Sequence, residues 1–330
     1  MRYLIFISLI LTTAFWSCKQ KQNKPVADDE PKTTQSIKAA DFNSDSAWHF
    51  VNEQVKFGPR VPNSKAHAKC AVYLENTLKR YAPQVIVQPF TAKAFDGTVL
   101  NCKNIVASFD PKNTSRVLLC AHWDSRPFAD NDPDSVNHRT PIDGANDGGS
   151  GVGILLEIAR QLKIVPAGVG VDILLLDGED YGAPQNAGYM GTDDWALGSQ
   201  YWSRYPHATA YNARFGILLD MVGAENAVFT MEGTSMYYAP DVAAKVWQTA
   251  GSIGYSDYFS SERTNAITDD HVYINQLRQI PTIDIIQHDP TTNSGFYMHW
   301  HTINDNMKNI SKNTLVAVGQ TVLTVVRAEK

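Results

Sequence analysis

Leu174-Leu175-Leu176-Asp177-Gly178-Glu179-Asp180 is an apolar run that stops abruptly on two adjacent carboxylates. A run of this kind reads as a buried strand, and neighbouring side chains at a strand end point in different directions. One of the two acids can therefore grip a metal while the other handles protons. Two further stretches are built alike. Val117-Leu-Leu-Cys-Ala-His122-Trp-Asp124 is a strand-like run ending on a His and an Asp, and Gly144-Ala-Asn-Asp147-Gly-Gly-Ser-Gly151 is a glycine-rich turn that carries a carboxylate into a helix. Three such ends converging on one edge of a sheet would form a hydrolase-like metal site.

Outward from these stretches the pattern alternates between short apolar runs and helical periodicity. Strands are expected at residues 85–90, 99–109, 117–121, 171–176, 215–220, 227–231 and 283–286. A helix capped by Asp45 or Ser46 and carrying Trp48, Val51 and Val55 is expected to stop before Gly58, with further helices at 64–81, 150–162, 192–204, 240–250 and 311–327. This is an α/β pattern, a single domain with a central, mostly parallel sheet covered by helices on both faces. In such sheets ligands bind beyond the carboxyl ends of the strands. The residues of interest fall there.

The 330 residues, 43% hydrophobic and 19% charged, leave ample material for a core. A formal net charge of −5 gives no reason to expect nucleic acid or an anionic membrane surface as a partner. Arg2, the apolar run 3–11 and the stretch to Cys18 have the layout of a secretory signal and are too short to span a bilayer. Residues 1–17 are thus expected to be a signal peptide, Cys18 a lipidated anchor, 18–40 a flexible linker and 41–330 the catalytic domain, exported to the periplasm or tethered to a bacterial membrane. With Cys18 consumed, Cys70, Cys102 and Cys120 allow at most one internal disulfide, and Cys120 lies in an apolar strand.

A catalytic zinc takes three protein ligands from His nitrogen and carboxylate oxygen and keeps a position open. Asp147, Asp180 and one His of Tyr297-Met-His299-Trp300-His301-Thr302 can supply them. Taken singly, an Asp in a Gly-rich turn is most often a turn former and a His beside a Trp is most often structural. Their shared placement at strand ends favours the metal. Glu179, next to a ligand but not itself one, can move a proton between nucleophile and leaving group. Asp220, at another strand end, and Asp269-Asp270 before His271 are acids able to hold an ammonium, although the last pair reads equally well as solvated turn residues.

Ala121-His-Trp-Asp124-Ser, the Asp147 turn, Asp177-Gly-Glu179-Asp180, Leu219-Asp220-Met-Val-Gly, Asp269-Asp270-His271 and Trp300-His301-Thr302 together resemble the glutaminyl cyclases, relatives of the co-catalytic zinc aminopeptidases. The resemblance runs from about Asp41 to the C-terminus. It implies a central mixed sheet flanked by helices, one zinc held by Asp147, Asp180 and His301, and Glu179 as general acid and base. Asp220 and Asp269 would position the amine of peptides that begin with Gln, and Trp300 and Trp195 would wall the pocket. Asp180 stands where animal cyclases have Glu, and Asp284 where they have His. In the aminopeptidase alternative a second zinc would sit at His122 and Asp220.

Overall fold

The computed structural model describes residues 41–184, 187–188 and 193–330. The expected signal peptide, the anchor Cys18 and the linker lie outside the described residues. From Asp41 onward the chain runs α1 (Ser44–Val55), α2 (Lys65–Lys79), β1 (Gln84–Lys93), β2 (Val99–Phe109), β3 (Arg116–His122), α3 (Gly149–Ile164) and β4 (Gly170–Leu176). It continues through α4 (Leu197–Arg204), β5 (Phe215–Asp220), β6 (Phe229–Met231), α5 (Gly233–Tyr238), α6 (Pro240–Ser252) and β7 (Phe259–Arg263). A short α7 (Asp270–Tyr273), β8 (Thr282–Ile286) and α8 (Lys312–Ala328) complete it.

The main sheet has six strands in the order β1-β2-β4-β3-β5-β8. β1, β2 and β4 pair antiparallel, whereas β4, β3, β5 and β8 run parallel, so the sheet is mixed. Side chains alternate between its faces. Val117, Leu119, Ala121, Ile173, Leu175, Ile217 and Leu219 join the large core that includes residues of α1, α3, α6 and α8. Leu118, Cys120, Leu174, Leu176 and Leu218 pack on the other face with Trp202 of α4 and Ile274. Every parallel strand is thereby covered on both sides, which is why these strands read as mostly apolar runs, interrupted by the buried Asp172 in β4 and Asp284 in β8.

Several boundaries differ from expectation. The strand foreseen at 227–231 is shorter, and it pairs with β7 in a separate two-stranded parallel sheet. Its predecessor β5 has both edges taken, by β3 and β8, and so cannot accept it. The first helix is capped by the Asn43 side chain, which accepts from Ser46 N, rather than by Asp45 or Ser46. The helix foreseen from residue 192 begins at Leu197, its expected start lying outside the described residues. β7, α5 and α7 had no clear periodicity to announce them. Cys70, Cys102 and Cys120 are all free and buried. Among the described residues no helix is long and apolar enough to cross a membrane.

Candidate metal centre and active site

The parallel strands end on one edge of the sheet, and each ending delivers a polar side chain there. β3 ends on His122, β5 on Asp220, and β4 stops at Leu176 to hand over to the turn that bears Glu179 and Asp180. Asp147 lies just before α3, in the turn whose Gly148 has φ +73°. A Cβ at Gly148 would stand 2.6 Å from the His122 ring, so only glycine lets this turn close over the imidazole. A Cβ at Gly151 would stand 2.1 Å from the Leu219 carbonyl oxygen, so the first turn of α3 lies directly on β5. His301 comes from the opposite end of the chain with φ 55°, a left-handed conformation that His tolerates better than most residues and that is common at functional sites.

The structure brings Asp147, Asp180 and His301 together, one ligand atom from each lying within 4.8 Å of the others. His301 Nε2 is 3.3 Å from Asp180 Oδ1 and 3.7 Å from Asp147 Oδ2. A second group, His122, Asp147 and Asp220, meets the same limit, with His122 Nε2 3.0 Å from Asp147 Oδ1 and 3.2 Å from Asp220 Oδ1. Asp147 belongs to both and stands between them. Burial pushes the Asp180 carboxyl up to about 6, and the charge of Asp147 adds to this against the pull of His301 and Arg126. Asp180 Oδ2 is buried with no hydrogen-bond partner among the described residues. Two buried carboxylates and an imidazole, one oxygen of them orphaned, form a donor set that a divalent cation fits, and the mixed N and O chemistry suits zinc.

A cleft of about 190 Å³ opens over this group. Glu179, Trp195, Asp220, Asp269, Trp300 and the three candidate ligands all line it, together with Ile267, Phe296 and Ile286. Trp300 stacks on His301 at 3.8 Å between centroids, and Trp195 lies parallel to His301 at 6.0 Å. His299 is not among the lining residues. Burial pushes the Glu179 carboxyl well above its ordinary value; His122 opposes this, and Asp269, Asp180 and Asp270 reinforce it. Asp220 is pushed up to about 7, first by burial and then by Asp147, against the hydrogen bond from His122. Asp269 and Asp270 are buried rather than solvated, and Asp269 caps α7 by accepting from Asp270 N at 2.5 Å.

Several further residues organise the centre; of these, Asp124 is marked in the sequence as the end of a strand-like run, whereas Asp305, Arg126 and Asp130 carry no motif-level signal. Asp124 accepts from the backbone amides of Glu179 and Asp180 at 3.1 and 3.2 Å, so its oxygens hold the acidic turn in place. Asp305 does the same for Asn146 N and Asp147 N, at 2.8 and 3.0 Å. Arg126 is fully buried and forks onto Asp130 at 2.6 and 2.8 Å, donates to the Asp180 carbonyl at 3.0 Å and sits 4.6 Å from the Trp195 ring. Asp130 Oδ1 in turn is 3.4 Å from His301 Nδ1. The only trace of this in sequence is the spacing of four between Arg126 and Asp130, directly after the Ala121–Ser125 stretch. Asp284, the apparent departure on β8, is buried close to Asp269, and burial followed by the charges of Asp269, Asp220 and Glu232 holds its carboxyl well above the usual range.

Comparison with known proteins follows the same lines. A glutaminyl cyclase from Bacteroides thetaiotaomicron, solved with N-acetylhistamine, is 55% identical and superposes with a TM-score of 0.86 over 88% of this chain and 100% of that one. A Zn-dependent exopeptidase from Parabacteroides distasonis is 52% identical with a TM-score of 0.87 over 88% of this chain and 100% of that one. Aminopeptidase YwaD of Bacillus subtilis is 29% identical over 71% of this chain, and the match spans only 46% of that enzyme's length. The chain spans about half the length of the first curated relatives it matches. Residues 104–326, well over half of the sequence, match the family model for peptidase family M28, and the chain belongs to that family.

Proposed function

We propose that this M28 enzyme is a glutaminyl-peptide cyclotransferase, converting the N-terminal Gln of peptides and exported proteins to pyroglutamate with release of ammonia. The observation that carries the reading is Glu179, an acid with a raised pKa in a small cleft walled by Trp195, Trp300, Ile267 and Phe296, beside a three-residue metal centre. Asp147, Asp180 and His301 would hold one zinc, which when bound supplies Lewis-acid polarisation of the substrate γ-carbonyl. The substrate's α-amine attacks the γ-carbonyl carbon; a C–N bond forms within the molecule, and the bond to the γ-amide nitrogen breaks. Glu179 takes the proton from the amine and delivers it to the departing nitrogen, which leaves as ammonia. Asp269 and Asp220 orient the amine, and the two tryptophans hold the side chain folded back on itself and restrict water. Because ring closure is intramolecular, holding that conformer is much of the catalytic task. Glu179→Gln is expected to keep fold and zinc but to lose turnover by ~10²- to 10⁴-fold. Near-normal ammonia release from this variant would remove Glu179 from the mechanism.

One observation favours a second reading. The group His122, Asp147 and Asp220 would take a second cation beside the first, the arrangement of a two-zinc aminopeptidase in which Glu179 activates water. Two zincs per chain, with shortening of Leu-initiated peptides, would support that alternative.

A further inference from the structure

A second cavity of about 380 Å³ lies beside the catalytic cleft, lined by Thr264, Asn265, Ala266, His288, Ser294 and Gly295. It shares Ile267, Thr268 and Phe296 with the cleft, so these three residues form the partition between the two spaces. The partition is continuous in sequence with Asp269, the residue assigned above to the substrate amine. If Asp269 holds the substrate amine as proposed above, a peptide leaving the cleft on this side would pass over Ile267 and Thr268 into the second cavity. A residue of extended chain advances about 3.3 Å, and crossing a wall one side chain thick takes about two of them.

We propose that this second cavity is a subsite for the third residue of the substrate and that it favours uncharged hydrogen-bonding side chains such as Asn, Gln and Ser. The inference rests on the cyclase reading and names its substrate class. The lining contains no Asp, Glu, Lys or Arg, so it offers no permanently charged partner to repay the desolvation of a charged side chain. It offers the Asn265 amide, the Thr268 hydroxyl and the His288 ring, whose side chains make no hydrogen bond to other described residues. The Thr264 hydroxyl is already engaged with Thr230 at 2.8 Å, and the Ser294 hydroxyl accepts from Phe296 N at 3.2 Å, so these two shape the cavity more than they recognise its occupant. Donors and acceptors left open in a concave site set orientation and selectivity, while the apolar partition supplies contact area.

The test compares the peptide amides Gln-Ala, Gln-Ala-Ala, Gln-Ala-Asn and Gln-Ala-Asp. KM for Gln-Ala-Asn is expected to be about fivefold below that for Gln-Ala-Ala, the effect of one net hydrogen bond, with Gln-Ala-Asp gaining nothing. In the N265A/H288A double variant the advantage of Asn over Ala at the third position should disappear. Equal KM for the Asn and Ala peptides, or an advantage that survives the double substitution, overturns the subsite. Affinities of the same peptides for the Glu179→Gln protein, read by tryptophan fluorescence, report the subsite without turnover. An Asn preference in binding, with no ammonia from any peptide when the unsubstituted zinc-loaded enzyme is assayed, would refute the cyclase reading and keep the subsite, whereas ammonia from all four with that enzyme and no preference would do the reverse.

Discussion

At the scale of single residues, the site separates two adjacent acids by what surrounds them. Asp180 turns towards His301 and Asp147, while Glu179 lines the cleft. Two adjacent strand-end carboxylates announce this in sequence, because successive side chains diverge. The Tyr297–Thr302 stretch could not announce which His faces the cleft, since that depends on the left-handed backbone at His301. His301→Ala is expected to lower bound zinc sharply and His299→Ala to leave it intact, as measured by metal analysis of the purified proteins; the opposite pattern would assign the wrong imidazole. Arg126 and Asp130 were hidden in what reads as a polar loop, because a buried ion pair between loop residues leaves no periodicity. Asp130 Oδ1 stands 3.4 Å from His301 Nδ1, where a carboxylate can set the orientation of a ligating imidazole. Asp130→Asn should weaken zinc 10- to 100-fold, the usual cost of losing such an orienting carboxylate, read by competition with a chelator. Unchanged affinity would make Asp130 a purely structural partner of Arg126.

At the scale of elements, the parallel strands were legible because burial on both faces leaves mostly apolar residues, and their endings were legible because the polar residues resume there together. What could not be read was pairing. The stretch 227–231 has the composition of a sheet strand, yet β5 has no free edge for it. The short elements around the cleft were also silent, since α5 and α7 are held by side-chain contacts rather than by an apolar stripe. Glu232 illustrates this. It caps α5 through Thr234 N at 2.7 Å and Ser235 N, accepts from Ile267 N at 3.1 Å and stands 3.2 Å from His271 Nε2. Burial pushes its carboxyl up, but the contacts with His271 and Ser235 prevail and lower it from 4.5 to about 2. A carboxyl whose pKa is depressed by folding adds stability in full above its unfolded value and loses it as pH falls through the folded one. Glu232 should therefore contribute on the order of 3 kcal/mol above about pH 4.5, a contribution that fades towards pH 2. The difference in Tm between the wild type and Glu232→Gln should be large at pH 7, clearly reduced at pH 3 and small near pH 2. A gap independent of pH would mean that the cap, not its charge, does the stabilising.

At the scale of the whole molecule, family membership and identity above 50% over 88% of this chain to two solved bacterial structures leave two chemistries on one scaffold, because solved relatives include both a glutaminyl cyclase and a Zn-dependent exopeptidase. The scaffold explains why. It gathers Glu179, a three-residue group that could hold a metal ion and an adjoining second group at one sheet edge, and under the proposed function the same acid would take its proton from an amine or, in the alternative, from water. The motifs in the sequence reveal that edge almost completely. On the proposed function, the choice between amine and water would depend on how closely Trp195, Trp300, Phe296 and Ile267, which line the cleft, confine the substrate, a matter of packing among loops that no local pattern encodes. The most direct test incubates the zinc-loaded protein with one peptide that begins with Gln and another that begins with Leu, and follows both by mass spectrometry and ammonia assay. The account predicts one ammonia per Gln peptide with the chain length unchanged, and no reaction with the Leu peptide. Release of free Leu, with no ammonia from the Gln peptide, would contradict it.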